Sequence, residues 1–221
     1  MTIVRTTRLT LSALAIVTAL SATAHAQRIG VIAGATFSNV RTSDDLNLSN
    51  RTGSMFGVSL QVPVGTTFTL QPELQFLQKG AKFKQTFGAT SNSGNFRLDY
   101  VEIPLLLRYD ISRGVIGPHL YAGPSVGFNV GCAVGYTGGT RAAGTNSDCT
   151  DDNFKPKSLD YGLTVGGGVD FNLGGLAATG GARYGIGLAD IRSDNSEAFR
   201  SRVHNGVLSL YVGLLFGKLG K

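Results

Sequence analysis

Four charged side chains stand where chemistry would be expected: Glu73, Glu102, Arg108 and Arg183. Each lies in a stretch where apolar and polar residues alternate. In a strand, alternate side chains point to opposite faces. Each of these charges therefore shares a face with polar neighbours and backs onto an apolar face. A charge enclosed in a narrow interior is costly unless paired and hydrogen-bonded. The four residues predict a structural ion-pair network filling an interior, with a charged gate in a minor pore as the alternative.

Cys132 and Cys149 fall in a long polar connection, 131–157. In an exported chain they predict a disulfide that closes this loop, worth about 3 kcal/mol on the loop-entropy model. With no histidine beside them they make a poor metal pair. Asp148, Asp151 and Asp152 gather hard oxygen donors nearby, but their spacing lacks the calcium-loop pattern, so a solvated acidic loop is expected. Neither a metal nor a cofactor is expected. Lys79, Lys82 and Lys84, with Arg200 and Arg202, fall in two other polar connections and are candidates to meet lipopolysaccharide phosphates. His119 and His204 should lie at opposite ends of the molecule, too far apart to share a site. The chain has no nucleophile elbow and no paired-His zinc motif, so an enzyme is not expected.

The elements that hold these residues are eight strands, roughly 28–39, 53–64, 66–78, 97–111, 115–130, 158–172, 175–188 and 205–216. The segment 100–111, YVEIPLLLRYDI, is the clearest. Val101, Ile103, Leu105, Leu107, Tyr109 and Ile111 form one face, and Glu102, Pro104, Leu106, Arg108 and Asp110 the other. Phe68, Leu70, Pro72, Leu74 and Phe76 oppose Thr69, Gln71, Glu73 and Gln75 in the same way. Tight Gly-containing turns at 64–66, 112–114 and 173–175 alternate with long polar connections at 40–52, 79–96, 131–157 and 189–204. Short turns on one side and long loops on the other are the layout of an outer-membrane barrel.

The aromatics agree with this layout. Phe68, Tyr109, Phe171 and Phe216 fall near the short turns; Phe37, Phe56, Phe76, Phe128 and Tyr161 fall near the long connections. Tyr161 and Phe171 would be about 26 Å apart along the axis of a tilted barrel, matching an apolar band about 25 Å tall. A soluble barrel would leave nearly all the large apolar residues in water.

Residues 1–26 have the three parts of a secretory signal. These are Arg5 and Arg8, the apolar run Leu9–Leu20, and the small-residue box Ala24-His25-Ala26. The mature domain is expected to be 27–221, and its length suits one domain. The formal charge of +6 falls to +4 without the signal. The basic residues form no stripe along the sequence, so nucleic acid is not an expected partner. Glycine, 31 residues of 221, is about twice average usage. It lies inside the alternating strands, which fits tight curvature and close packing.

Six segments in order, GVIAGATFSNV (30–40), LQPELQFLQKGAKF (70–83), YVEIPLLLRY (100–109), LYAGPSVGFNVG (120–131), DYGLTVGGGVDF (160–171) and ARYGIGLADI (182–191), resemble the PorT-like outer-membrane β-barrel family. The resemblance implies an eight-stranded antiparallel up-and-down transmembrane β-barrel in the outer membrane of a Gram-negative bacterium. It fixes no activity, although one member is tied to a protein-secretion system. The expected function is a small integral outer-membrane protein with a structural or interaction role carried by four outer loops. A narrow ion or small-solute channel and a barrel accessory to secretion are the alternatives. Expected partners are outer-membrane lipid, the insertion machinery and an extracellular or periplasmic ligand of unknown identity. Reducing the isolated protein should shift its gel mobility; free thiols titrating in the unreduced protein would remove the Cys132–Cys149 bridge.

Overall fold

The computed structural model describes residues 27–41, 48–87, 90–138, 146–148, 157–189 and 204–218. Residues 1–26, where the signal peptide is expected, lie outside them. In chain order the strands are β1 (Arg28–Arg41), β2 (Leu48–Val64), β3 (Phe68–Phe87), β4 (Thr90–Asp110), β5 (Ile116–Gly138), β6 (Asn146–Asp148), β7 (Leu159–Asn172), β8 (Leu176–Gly187) and β9 (His204–Gly217). All pairings are antiparallel. The order β4-β3-β2-β1-β9-β8-β7-β5 closes on itself through β4–β5, giving an eight-stranded barrel. β6 is a short addition to the edge of β5. Through the apolar band closure leaves no open edge, so every barrel strand there finds partners on both sides.

Sequence and geometry agree most directly at the short turns. Gly65 and Gly174 adopt φ of +89°, a left-handed conformation that a side chain would disfavour. At this end β1 meets β9, with Arg28 opposite Gly217.

The faces divide as the alternation requires. Val58, Leu74, Ile103, Leu105, Leu107, Leu163 and Leu210 are exposed on the outside, while Thr69, Gln71, Glu73, Glu102, Arg108 and Thr164 are buried inside. Phe68 and Tyr109 meet near the short turns, their rings 5.5 Å apart. Phe56 and Phe76 stack at 6.1 Å on the far side of the aliphatic band.

Strand length departs from expectation. The segment 79–96 is not a loop: β3 runs to Phe87, β4 starts at Thr90, and they stay in register from Lys79↔Leu98 to Phe87↔Thr90. β5 continues past Phe128, its last partner for β7, and pairs with β4 as far as Gly138. The segment 131–157 therefore begins as strand, and Cys132 is a strand residue. The apolar alternation stops where the apolar outer band stops, but a backbone ladder does not need apolar side chains to continue. Register shifts between Asn50 and Met55, and between Asp99 and Tyr100, sit where β2–β5 leave the band. Bulges of this kind increase local twist.

If the outer face is solvated by lipid, Leu105→Arg should cost about 2–4 kcal/mol, as a cation does near the bilayer midplane. Equilibrium urea unfolding from lipid vesicles measures it; a change within about 0.5 kcal/mol, ordinary for a surface site in water, would overturn the lipid-facing assignment.

Candidate functional site: a three-tiered ionic lumen

The interior of the barrel carries three tiers of charge stacked along its axis. Strand parity sets which residues contribute, and register sets their height. The tier nearest the short turns centres on Asp170 of β7. It accepts from Arg108 Nη2 of β4 at 2.6 Å and from Arg28 Nη1 of β1 at 3.3 Å. Arg108 Nε donates to Asp110 Oδ1 at 2.6 Å. Asp110 Oδ2 in turn accepts from Thr69 Oγ1 at 2.8 Å and Arg113 Nε at 3.1 Å. His119 Nδ1 is 3.7 Å from Asp170 Oδ1.

The middle tier is a pair across the lumen. β3 and β8 are diametrically opposed in the strand order. Arg183 Nη1 of β8 reaches Glu73 Oε2 of β3 at 2.5 Å and Gln75 Oε1 at 3.3 Å. Gln71 Nε2 donates to Glu73 Oε1 at 2.6 Å, and Gln61 Nε2 to Gln71 Oε1 at 3.1 Å. The Arg183 guanidinium lies over the rings of Tyr211 and Tyr121, at 4.6 Å and 5.4 Å. Tyr121 OH donates to Tyr211 OH at 3.1 Å.

Glycines clear the space for these rings. A methyl on Gly166 would lie 2.7 Å from the Tyr121 hydroxyl, and one on Gly181 2.7 Å from the Tyr211 hydroxyl. The glycine enrichment of β7 and β8 thus has a packing cause: two large side chains cross a lumen that admits little else.

In the third tier Lys79 Nζ lies 3.0 Å from Glu102 Oε2 and 3.1 Å from Asp160 Oδ2, with the Tyr100 ring centroid 4.7 Å away. Beyond it the filling becomes apolar. Met55, Leu77, Leu98 and Val207 are buried there, with Phe96 and Cys132 packed against them. A cavity of about 30 Å³ lies between the middle and third tiers. A larger one of about 350 Å³ opens at the short-turn end, lined by Arg28, Arg108, Asp110, Arg113, Asp170 and Lys218.

The four charges singled out by sequence are thus all inside, but they do not form one network. Arg183 pairs with Glu73, Glu102 turns to Lys79, and Arg108 pairs with Asp110 and Asp170. Lys79 is a correction. Placed by sequence in an outer loop, it is 6% exposed inside the barrel. Its signal was available: 73, 75, 77 and 79 share one face once β3 is allowed to continue. Arg28, Asp160, Asp170, Tyr121 and Tyr211 were also missing from the predicted network, though the same parity points them inward.

Cys149 lies outside the described residues, as do Asp151, Asp152, Arg200 and Arg202. Among the described residues no group of His, Cys, Asp and Glu is arranged to hold a metal ion. His119 is buried at the short-turn end, while His204 begins β9 at the other.

None of the curated proteins matches the chain. Among solved structures, OprG of Pseudomonas aeruginosa shares the fold with a TM-score of 0.54 at 12% identity, over 87% of this chain and 97% of that one. Neisserial surface protein A is similar over 85% of this chain and 96% of its own, at 16% identity and a TM-score of 0.48. The family model described as an outer membrane protein beta-barrel domain matches residues 21–193. With its closed barrel, apolar outer face and polar interior, the chain belongs to the outer membrane protein beta-barrel domain family, as a small protein of the bacterial outer membrane.

Proposed function

We propose that this barrel is sealed, and that it serves a structural or interaction role through the parts that stand outside the membrane. The Glu73–Arg183 pair carries the reading. It crosses the lumen at mid-height and is flanked by Tyr121 and Tyr211, so a hydrated ion would have to break it to pass. The cavity above it, about 30 Å³, has room for roughly one or two waters. An eight-stranded barrel is just wide enough for side chains to fill.

What remains available for work is the upper part of β2–β5, the connections beside it and the vestibule at the other end. On this reading the chain is exported, loses residues 1–26 and is placed by the insertion machinery with its short turns in the periplasm. A Cys132–Cys149 disulfide would tie the long connection to the wall. In its support, β6 sets Asp148, the residue before Cys149, opposite Ala133, the residue after Cys132. The six ordered segments resembling the PorT-like family keep a periplasmic accessory role in secretion as the second reading. The 350 Å³ vestibule is the surface that such a role would use.

The purified barrel should show no unitary conductance steps in a planar lipid bilayer, and replacing the pair by Glu73→Ala with Arg183→Ala should introduce a leak. Regular steps in the wild type would overturn the sealed reading in favour of a narrow channel. Arg183→Leu strands the buried Glu73 carboxylate, so it should cost about 3–5 kcal/mol and lower the temperature at which the compact unboiled gel band is lost. The double variant Glu73→Leu/Arg183→Met should recover most of that loss. An unchanged transition in the single variant would remove the pair from the load-carrying lumen.

A further inference from the structure

The corrected strand lengths create a surface that the sequence pattern had hidden. Above the lipid band, outward positions on β3 and β4 turn from apolar to basic. On β3 the outward series is Phe68, Leu70, Pro72, Leu74 and Phe76, followed by Gln78, Gly80, Lys82 and Lys84. On β4 it is Tyr109, Leu107, Leu105, Ile103 and Val101, followed by Asp99, Arg97, Asn95 and Ser93. Lys82 lies opposite Asn95, and Arg97 opposite Gly80, so Lys82 and Arg97 are diagonal neighbours on one face. Lys84 is the next outward residue on β3. Neighbours of this kind lie roughly 7 Å apart.

Lys82 and Lys84 are exposed, and the Arg97 side chain is 45% exposed. Arg51 of β2 joins them from the side, its Nη1 donating to the Lys79 carbonyl at 3.4 Å. Burial and then the nearby Arg97 charge lower the Arg51 pKa, with Asp99 opposing. Asp99 is the acid of the patch, 3.3 Å from Arg97 Nε. Among the described residues four cations stand against one carboxylate on adjoining strands, and like charges side by side on a sheet destabilise it.

We infer that Arg51, Lys82, Lys84 and Arg97 form a binding surface for the phosphates of lipopolysaccharide, whose multiple anions complement their charge. Height selects this occupant. Arg97 and Lys82 stand about 10–16 Å along the axis above the Phe56–Phe76 rung that ends the apolar band. Long basic side chains reach back toward the membrane from there, into the phosphorylated headgroup and inner-sugar layer of the outer leaflet. Clusters of Lys and Arg beside a membrane-spanning segment recognise anionic lipid by the same physics. Ammonium and guanidinium groups both donate well to phosphate oxygens. The surface differs from the one expected from sequence: Lys79 leaves it for the lumen, and Arg51 and Arg97 enter it. It does not depend on whether the lumen conducts.

The test is the amount of lipopolysaccharide retained by the full-length barrel extracted from outer membranes and washed in detergent. Lys82→Glu/Lys84→Glu/Arg97→Glu should retain about tenfold less than the wild type, whereas Lys218→Glu at the other end should retain as much. Equal retention by the folded triple variant would overturn the inference. If the variant fails to fold, the wild type is compared on intact lipopolysaccharide, on dephosphorylated lipopolysaccharide and on phosphatidylglycerol vesicles. Preferential binding to the intact form supports the site. Equal binding to the dephosphorylated form overturns it, and equal binding to phosphatidylglycerol overturns the assignment to lipopolysaccharide.

Discussion

The Glu73–Arg183 pair is the interaction on which the rest of the barrel interior depends. It links strands on opposite sides of the wall, so it acts as a strut as well as an ion pair. A buried carboxylate and guanidinium cost least when further contacts occupy their remaining valences. Gln71 donates to the acid, Gln75 accepts from the base, and the faces of Tyr121 and Tyr211 cover the base. The tyrosines lie there because β7 and β8 present glycines beneath them. One polar contact thus explains side chains on four strands and the absence of side chains at Gly166 of β7 and Gly181 of β8. The tiers on either side repeat the logic with other partners, so among the described residues each buried Arg and Lys of the lumen faces a carboxylate.

The wall answers a different constraint. Lipid offers no hydrogen bonds, so each strand must be paired on both sides throughout the band, and closure provides this. Above the band that demand lapses, because water can serve an unpaired edge. There β5 outruns β7, and among the described residues the three of β6 pair with it on that side.

Most of the barrel was legible because period-two alternation is enforced twice, by lipid outside and by a crowded interior inside. Val101 to Ile111 could face only one way. Legibility ended where one of those forces ended. Beyond Gln78 the outward residues are polar, the contrast between faces fades, and a strand looks like a loop. The alternation therefore predicts β3 and β4 shorter than they are and puts Lys79 outside. The pairings of the charges were illegible for another reason. Parity says that Arg108, Glu102, Glu73 and Arg183 point inward, but partner choice depends on the stagger between strands far apart in sequence. Asp170 lies sixty-two positions from Arg108 and still meets it at 2.6 Å.

The uneven height of the wall gives the molecule a front and a back. Among the described residues, β2–β5 rise well past the band while β7 and β8 stop near it. Seen down the membrane normal, the protein is therefore not interchangeable under rotation. In the described strands, a neighbour drifting in the plane of the bilayer meets a taller sheet on the β2–β5 side than on the β7–β8 side. Packing in a crowded membrane would then sort orientations as well as identities, a form of lateral polarity that a barrel of even rim could not have.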